Sequence, residues 1–208
     1  MRSFGEYPKE ENVSLLSQIL EETAPQKYYL SERATKGILR RNEIKGGVPE
    51  VLEKALKGEE FAEGTTLTEK RFFKWYEDDT SVTLRRRSAS YGGGSEVLVI
   101  EKDGVRRLTP TECERLQGFP DGWTDIGEWI DSEGKSHKAA DTPRYEALGN
   151  SIALPFWKWV LARIPGETMG SLFDGIGGFP LAWGRTTKWV SEIEEFPVAV
   201  VSERFETE

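Results

Sequence analysis

The sequence predicts an α/β protein whose ligand-type site is a strand–turn–helix–strand unit near its end. Two observations carry that expectation. The first is Met169–Glu194, MGSLFDGIGGFPLAWGRTTKWVSEIE, in which apolar Leu172 and Phe173 lead into Gly175, Gly177 and Gly178. A helical run, Phe179–Trp183, follows, and a second apolar run, Trp189–Val190, ends at Glu192. Glycine permits a sharp turn and close approach of a ligand to the backbone, and a carboxylate after the second strand suits a ribose diol. The spacing is Gly-x-Gly-Gly rather than the dinucleotide fingerprint, so NAD is not the expected ligand, and a purely structural tight turn is the plain alternative. The second observation is that helix-period segments and a β-branched strand, Glu96–Ile100, share the remaining chain.

With 208 residues the chain has room for one ordinary domain or two small ones. The formal net charge of −8 does not advertise a nucleic-acid partner, although a local basic face can coexist with it. No apolar run reaches the roughly 18 residues of a membrane span, and no signal peptide is evident, so a cytoplasmic protein without membrane contact is expected. A single cysteine, Cys113, and a single histidine, His137, exclude an intrachain disulfide and give no case for a metal.

In chain order, Met1–Glu11 reads as a frayed end and Asn12–Glu22 as a turn of helix. Ser31 is placed to cap a helix to about Arg41, with Ala34, Ile38 and Leu39 inward and Lys36, Arg40 and Arg41 outward. Gly46–Gly47 breaks it, and a second helix, Glu50 to about Lys57, buries Val51, Leu52, Ala55 and Leu56. This basic helical pair is either a solvated face or a surface that contacts DNA phosphates. Gly58–Asp79 is charged and mixed, and its aromatic knot Phe72–Tyr76 reads as local core rather than a base-stacking platform. A strand, Ser81–Arg87, carries Arg85, Arg86 and Arg87, which reach either nucleic acid or only solvent. Thr109, Pro110 and Glu112 form a capping-box start to a helix that contains Cys113, stopped at Gly118. Glu128–Thr142 reads as a polar loop. Leu148–Ser151 then caps an apolar helix, Ile152 to Ile164, expected to be buried against a sheet. A last helix, Phe196 to about Phe205, turns Val198, Val201 and Phe205 inward.

SLFDGIGGF followed by SEIEEFP resembles the cofactor-binding motif that opens the DNA (cytosine-5)-methyltransferases, phage and bacterial type. RRLTPTECERLQGFPDGW (Arg106–Trp123) and YEALGNSIALP (Tyr145–Pro155) resemble that family's closing motifs, and QKYYLSERATKGILRR resembles the start of its target-recognition region. The resemblance implies a partial Rossmann-like S-adenosylmethionine-dependent methyltransferase fold over residues 105–208, preceded by a small mixed α+β target-recognition-like region, residues 1–104. It implies double-stranded DNA as substrate and S-adenosylmethionine as cofactor, as in restriction-modification. Phe173, Gly175, Gly177 and Gly178 would line the cofactor, Glu192 would hold the ribose, Ile193 would lie against the adenine, and Asn150 and Ser151 would complete the pocket. Lys36, Arg40, Arg41, Arg85, Arg86 and Arg87 would face DNA.

The family's reaction needs a thiolate that adds to carbon 6 of an extruded cytosine and an acid near ring nitrogen 3. The sequence holds neither a Pro-Cys nucleophile nor a Glu-Asn-Val motif, and it lacks the arginine-bearing segment that precedes the recognition region. Cys113 stands between Glu112 and Glu114, whose charges disfavour a thiolate, so no catalytic residue is expected here. The motif order is also permuted, with the opening motif after the closing ones, joined by Pro165–Thr168. These features imply a subunit or fragment of a split, permuted methyltransferase, completed by a partner chain or missing segment. A non-catalytic DNA-binding module or degenerate remnant is the alternative.

Overall fold

The computed structural model describes residues 16–45, 50–57, 59, 65–71, 74–77, 97–102 and 104–205. Two helices, α1 (Glu32–Lys45) and α2 (Glu50–Lys57), precede four strands, β1 (Thr65–Arg71), β2 (Lys74–Glu77), β3 (Val97–Glu101) and β4 (Gly104–Arg107). Helix α3 (Pro110–Gln117), a short hairpin of β5 (Trp129–Ile130) and β6 (Ser136–His137), and helices α4 (Asp141–Gly149) and α5 (Leu154–Leu161) come next. The chain closes with β7 (Thr168–Leu172), α6 (Gly178–Trp183), β8 (Thr186–Ser191) and α7 (Glu195–Arg204). The result is a mixed α/β structure.

The four-stranded sheet is antiparallel throughout, in the order β2-β1-β3-β4. Its third strand is buried on both faces, and the two-residue period of a strand divides its side chains between two cores. Leu98 and Ile100 pack with Val105 of β4, Ile38 of α1 and Val51 and Leu52 of α2. Val97 and Val99 point the other way, into a larger core with Leu108, Cys113, Phe119, Trp123, Leu148, Leu154 and Ile176. Ser31 caps α1 as expected, its hydroxyl accepting from the Ala34 amide at 3.3 Å. The stretch that reads as charged and mixed contributes β1 and β2; TTLTEKR holds one apolar residue, Leu67, and so hides a strand whose place is fixed by pairing with β3. The Ser81–Arg87 strand, Phe72 and Phe73, and the N-terminal stretch to Leu15 lie outside the described residues.

The capping box at Thr109 forms as expected: Thr109 Oγ1 accepts from the Glu112 amide at 3.2 Å, and Glu112 accepts from the Thr109 amide at 2.7 Å. Glu112 does more than cap. Its carboxylate also takes Arg106 Nη1 and Nη2, at 2.8 and 2.9 Å, and the Glu21 amide at 2.8 Å. Both Arg106 and Glu112 are fully buried. Burial pulls the Arg106 guanidinium pKa down, but the bonds to Glu112 and Glu101 more than offset that and hold it above the usual arginine range.

Four expectations are corrected. Glu128–Thr142 is not loop throughout, because β5 and β6 pair in it and α4 begins at Asp141. The apolar helix runs over Leu154–Leu161 rather than Ile152–Ile164. It is not buried against a sheet either: only Leu154 is buried along it, Phe156 is 39% and Ile164 46% exposed, and its neighbour is α6, where Trp157 meets Phe179 at 5.0 Å. In α7, Val200 and Val201 face the core while Val198 is exposed.

Arg106→Met should destabilise the fold by about 3–5 kcal/mol, because it strands Glu112 without its counter-charge. Arg106→Met with Glu112→Gln should recover part of that loss. Urea unfolding of the three proteins decides it, and a double variant less stable than the single one would contradict the account.

Candidate cofactor site

Strands β7 and β8 pair in parallel, with Gly170 opposite Trp189 and Leu172 opposite Ser191, and α6 crosses between them. The turn between β7 and α6 uses glycine where the backbone demands it. Gly175 and Gly177 have φ of 60° and 81°, and a Cβ on Gly177 would lie 2.5 Å from the Phe205 ring. Nothing lies within 4 Å of a Cβ position on Gly175, which leaves room beside the backbone there. Phe173 also takes a left-handed conformation, φ 53°, and its ring is 81% exposed. An aromatic residue in that region is strained, and such strain concentrates where ligands are held.

Glu192 follows β8 directly. Its Oε2 accepts from the Gly175 amide at 2.7 Å, and its Oε1 accepts from the Ile193 and Glu194 amides at 2.7 and 3.0 Å. Burial raises the Glu192 pKa, but the three amides outweigh it and keep the group below the ordinary glutamate value. A carboxylate offers about four acceptor positions, so one on Oε2 stays open. Ile193 beside it is 83% exposed.

The turn is anchored from the segment Arg106–Trp123. Ile176 is buried in the larger core, and its carbonyl accepts from Trp123 Nε1 at 2.8 Å. Arg204 of α7 donates from Nε to the Trp123 carbonyl at 2.8 Å and from Nη2 to the Gly122 carbonyl at 2.6 Å. The Gly118–Thr124 turn is held by buried Glu114, which accepts from the Gly122 and Thr124 amides at 2.7 and 2.8 Å and from Arg144 Nη2 at 3.2 Å. On the other side, a Cβ on Gly178 would meet Ile152 at 2.8 Å. Asn150 caps the end of α4, and Ser151 links it to Ile152. The two turns expected to line one pocket are thus in contact through Gly178 and Ile152.

Sequence reasoning missed Asp174. It is 5% exposed; Oδ1 accepts from the Ser171 hydroxyl, and Oδ2 has no partner. Burial, reinforced by the charge of Glu192, raises its pKa above the ordinary aspartate value against the smaller effect of Ser171. The acid is visible in SLFDG, but an exposed turn acid and a buried one read alike.

Cys113 is 3% exposed in the larger core, and burial, then the charges of Glu112 and Glu114, push its thiol well up. Lys36 and Arg40 are exposed on α1, where Lys36 pairs with Glu32. The Arg41 side chain, Arg85, Arg86 and Arg87 lie outside the described residues. Ile38 of α1 and Ile176 of the glycine turn belong to the two cores on opposite faces of β3, so the basic helix and the glycine turn lie on opposite sides of the sheet. Among the described residues, no group of three or more His, Cys, Asp or Glu is placed to hold a metal, and no helix is long and apolar enough to cross a membrane.

A glycine turn closed by a carboxylate is thus packed beside the Gly149–Ser151 turn that ends α4. Residues 3–165 match the C-5 cytosine-specific DNA methylase family, and the chain belongs to it. The matched stretch ends before β7. The chain is 29% identical over 141 residues to Type II methyltransferase M1.ScrFI of Lactococcus lactis subsp. cremoris, covering 67% of this chain and 28% of that protein. It is 32% identical over 75 residues to Type II methyltransferase M.HpaII of Haemophilus parainfluenzae, covering 36% and 17%. It is 44% identical over 79 residues to a DNA N-6-adenine-methyltransferase of Escherichia phage P1, covering 29% and 10%. The chain therefore spans between 10% and 28% of the length of these three relatives.

A carboxyl whose pKa rises on folding stabilises the fold fully only below its unfolded value, about 3.9, and that contribution is lost as pH rises through the folded value. Asp174→Asn should therefore be more stable than the wild type at pH 7 and lose the advantage by about pH 3.5. Thermal melts at the two pH values test this; an advantage that grows on acidification would contradict it.

Proposed function

We propose that the chain is part of a DNA (cytosine-5)-methyltransferase, in which it supplies target recognition and one wall of the S-adenosylmethionine pocket. The observation that carries this is the packing of Gly178 on Ile152, which brings the opening-type glycine turn against the closing-type Asn150–Ser151 turn although the chain visits them in reverse order. That contact supports a circular permutation that leaves the pocket's packing intact, with residues 105–208 forming part of a Rossmann-like methyltransferase fold. Residues 1–104 form the recognition-like region.

The pocket residues fit the cofactor. The space at Gly175 admits a ligand against the backbone, and the remaining acceptor position of Glu192 takes a ribose hydroxyl. Phe173 and Ile193, both largely exposed, offer apolar surface beside that carboxylate, while Gly177, Gly178, Asn150 and Ser151 shape the rest of the wall. When bound, S-adenosylmethionine supplies the methyl group. Cys113, the one cysteine of the sequence, is buried with a raised pKa and is not the nucleophile. The nucleophile and the acid come from another segment or chain.

A place for that segment is supported by the exposure of apolar side chains along and beside β7 and β8: Leu172 is 61%, Trp189 53% and Val190 39% exposed. A two-stranded parallel sheet exposed to this degree is unfinished, because parallel sheets are covered on both faces.

The experiment is methyl transfer from labelled S-adenosylmethionine to mixed-sequence duplex DNA. The 208-residue chain alone should give background counts, and a family segment carrying Pro-Cys and Glu-Asn-Val motifs should restore transfer. Transfer by the chain alone, abolished by Cys113→Ser, would overturn the proposal. DNA binding without cofactor binding or complementation would favour a non-catalytic DNA-binding module.

The exposed basic side of α1 supports a phosphate-contacting role. Joint replacement of Lys36, Arg40 and Arg41 by Gln should weaken binding of the complemented enzyme equally on cognate and unrelated duplexes. It should also lower the salt-dependence slope by about one per lost phosphate contact. Loss of affinity on the cognate duplex alone would mean that these residues read bases.

A further inference from the structure

Helix α5 and strand β7 are joined by Ala162–Glu167, and a side chain from beyond β7 closes the joint. Arg185, in the turn between α6 and β8, places its guanidinium 3.6 Å from the centroid of the Trp183 ring. It donates from Nη2 to the Leu161 carbonyl at 3.0 Å and from Nη1 to the Gly166 carbonyl. Leu161 is the last residue of α5; its carbonyl accepts from the Ile164 amide at 3.1 Å as well as from Arg185, and a cation there also complements the helix dipole. Gly166 lies across the same indole: its φ is 149°, and a Cβ on it would stand 3.6 Å from the Trp183 ring. Trp183 is 7% exposed, so the surface on which both Arg185 and Gly166 rest is a fixed one.

We propose that Arg185 is a positioning residue that locks α5 to the glycine unit, so that the Asn150–Ser151 turn and the Gly175–Gly178 turn keep one register. Helix α5 begins just after Ile152, which touches Gly178, and ends at Leu161, which Arg185 holds. These contacts pin the two ends of the helix to the same strand–turn–helix unit, and the Trp157–Phe179 contact lies between them. Without Arg185 the far end keeps only the apolar packing of Leu161 and Trp157, which does not fix register, and the unit can pivot about the Ile152–Gly178 contact. Lysine cannot replace it, because an ammonium does not stack flat on an indole while reaching two separate carbonyls. The value of that register for a cofactor rests on the function proposed above; the lock itself does not.

Amide hydrogen exchange on the full chain tests the lock, comparing wild type, Arg185→Ala and Arg185→Lys. Arg185→Ala should speed exchange about fivefold or more both in Ala162–Thr168 and in Asp174–Gly178, with β3, β4 and α3 unchanged, and Arg185→Lys should restore little of it. Acceleration confined to Gly184–Thr187, or spread evenly through β3 and α3, would overturn the proposal, the first by showing a local role and the second a general loss of stability. Titration with S-adenosylmethionine, with Glu192→Ala as control, separates the two claims. If wild type binds and Glu192→Ala does not, Arg185→Ala should bind about tenfold more weakly, and equal affinity would overturn the positioning role. If wild type and Glu192→Ala titrate identically, the cofactor assignment fails, and the exchange data alone decide the lock.

Discussion

A buried arginine between carboxylates sets the architecture. Arg106 sits on the last strand of the four-stranded sheet, and its two partners, Glu101 and Glu112, lie on the neighbouring strand and in the first turn of α3. An ion pair with no solvent exposure contributes little net stability unless every lone pair is used. Glu112 meets that condition with four donors: two from Arg106, the Thr109 amide and the Glu21 amide. The pair therefore fixes geometry more than it adds energy. It sets where α3 leaves the sheet, and α3 leads into the Gly118–Trp123 turn, on which Ile176 and Arg204 depend. The glycine turn is placed, at two removes, by a side chain in the four-stranded sheet.

Glu114 repeats the device one residue pair further along the helix. Glu112 points toward the sheet and Glu114 toward α4 through Arg144, so one short helix ties α4 to the sheet by charge in addition to the apolar core they share. Cys113 lies between them and is left for the core. This gives its position a structural explanation. A thiol flanked by two buried carboxylates suits packing, and the same surroundings disfavour ionisation.

What the sequence made legible was local chemistry with a fixed offset. The Thr109–Glu112 box, the Ser31 cap, the left-handed glycines and the carboxylate after β8 all depend on residues within a few positions of one another. What it hid was decided across the chain. Helix α4 starts at Asp141 after Ala140, which supplies no side-chain cap, so the usual capping signal is missing. Strand β1 carries no apolar alternation and owes its state to β3. The apolar composition of α5 implies burial all round, whereas in the described residues it is covered by α6 and, at its start, by the Gly118 turn. Asp174 was passed over because burial is a property of the assembled fold. Arg144 and Arg204, which steady the site from a distance, carry no motif at all.

The double burial of β3 has a consequence for how such a chain can change. Val97 and Val99 belong to one core and Leu98 and Ile100 to the other, so the region before the hairpin and the region after it have one strand in common. A region that ended cleanly at a linker could be exchanged between relatives by a single crossover. Here a crossover at Lys102–Gly104 would separate β3 from β4 and match four apolar side chains to surfaces that did not arise with them. Change by crossover is thereby confined to the helices and the outer strands, and the unit inherited together takes in both cores that β3 serves.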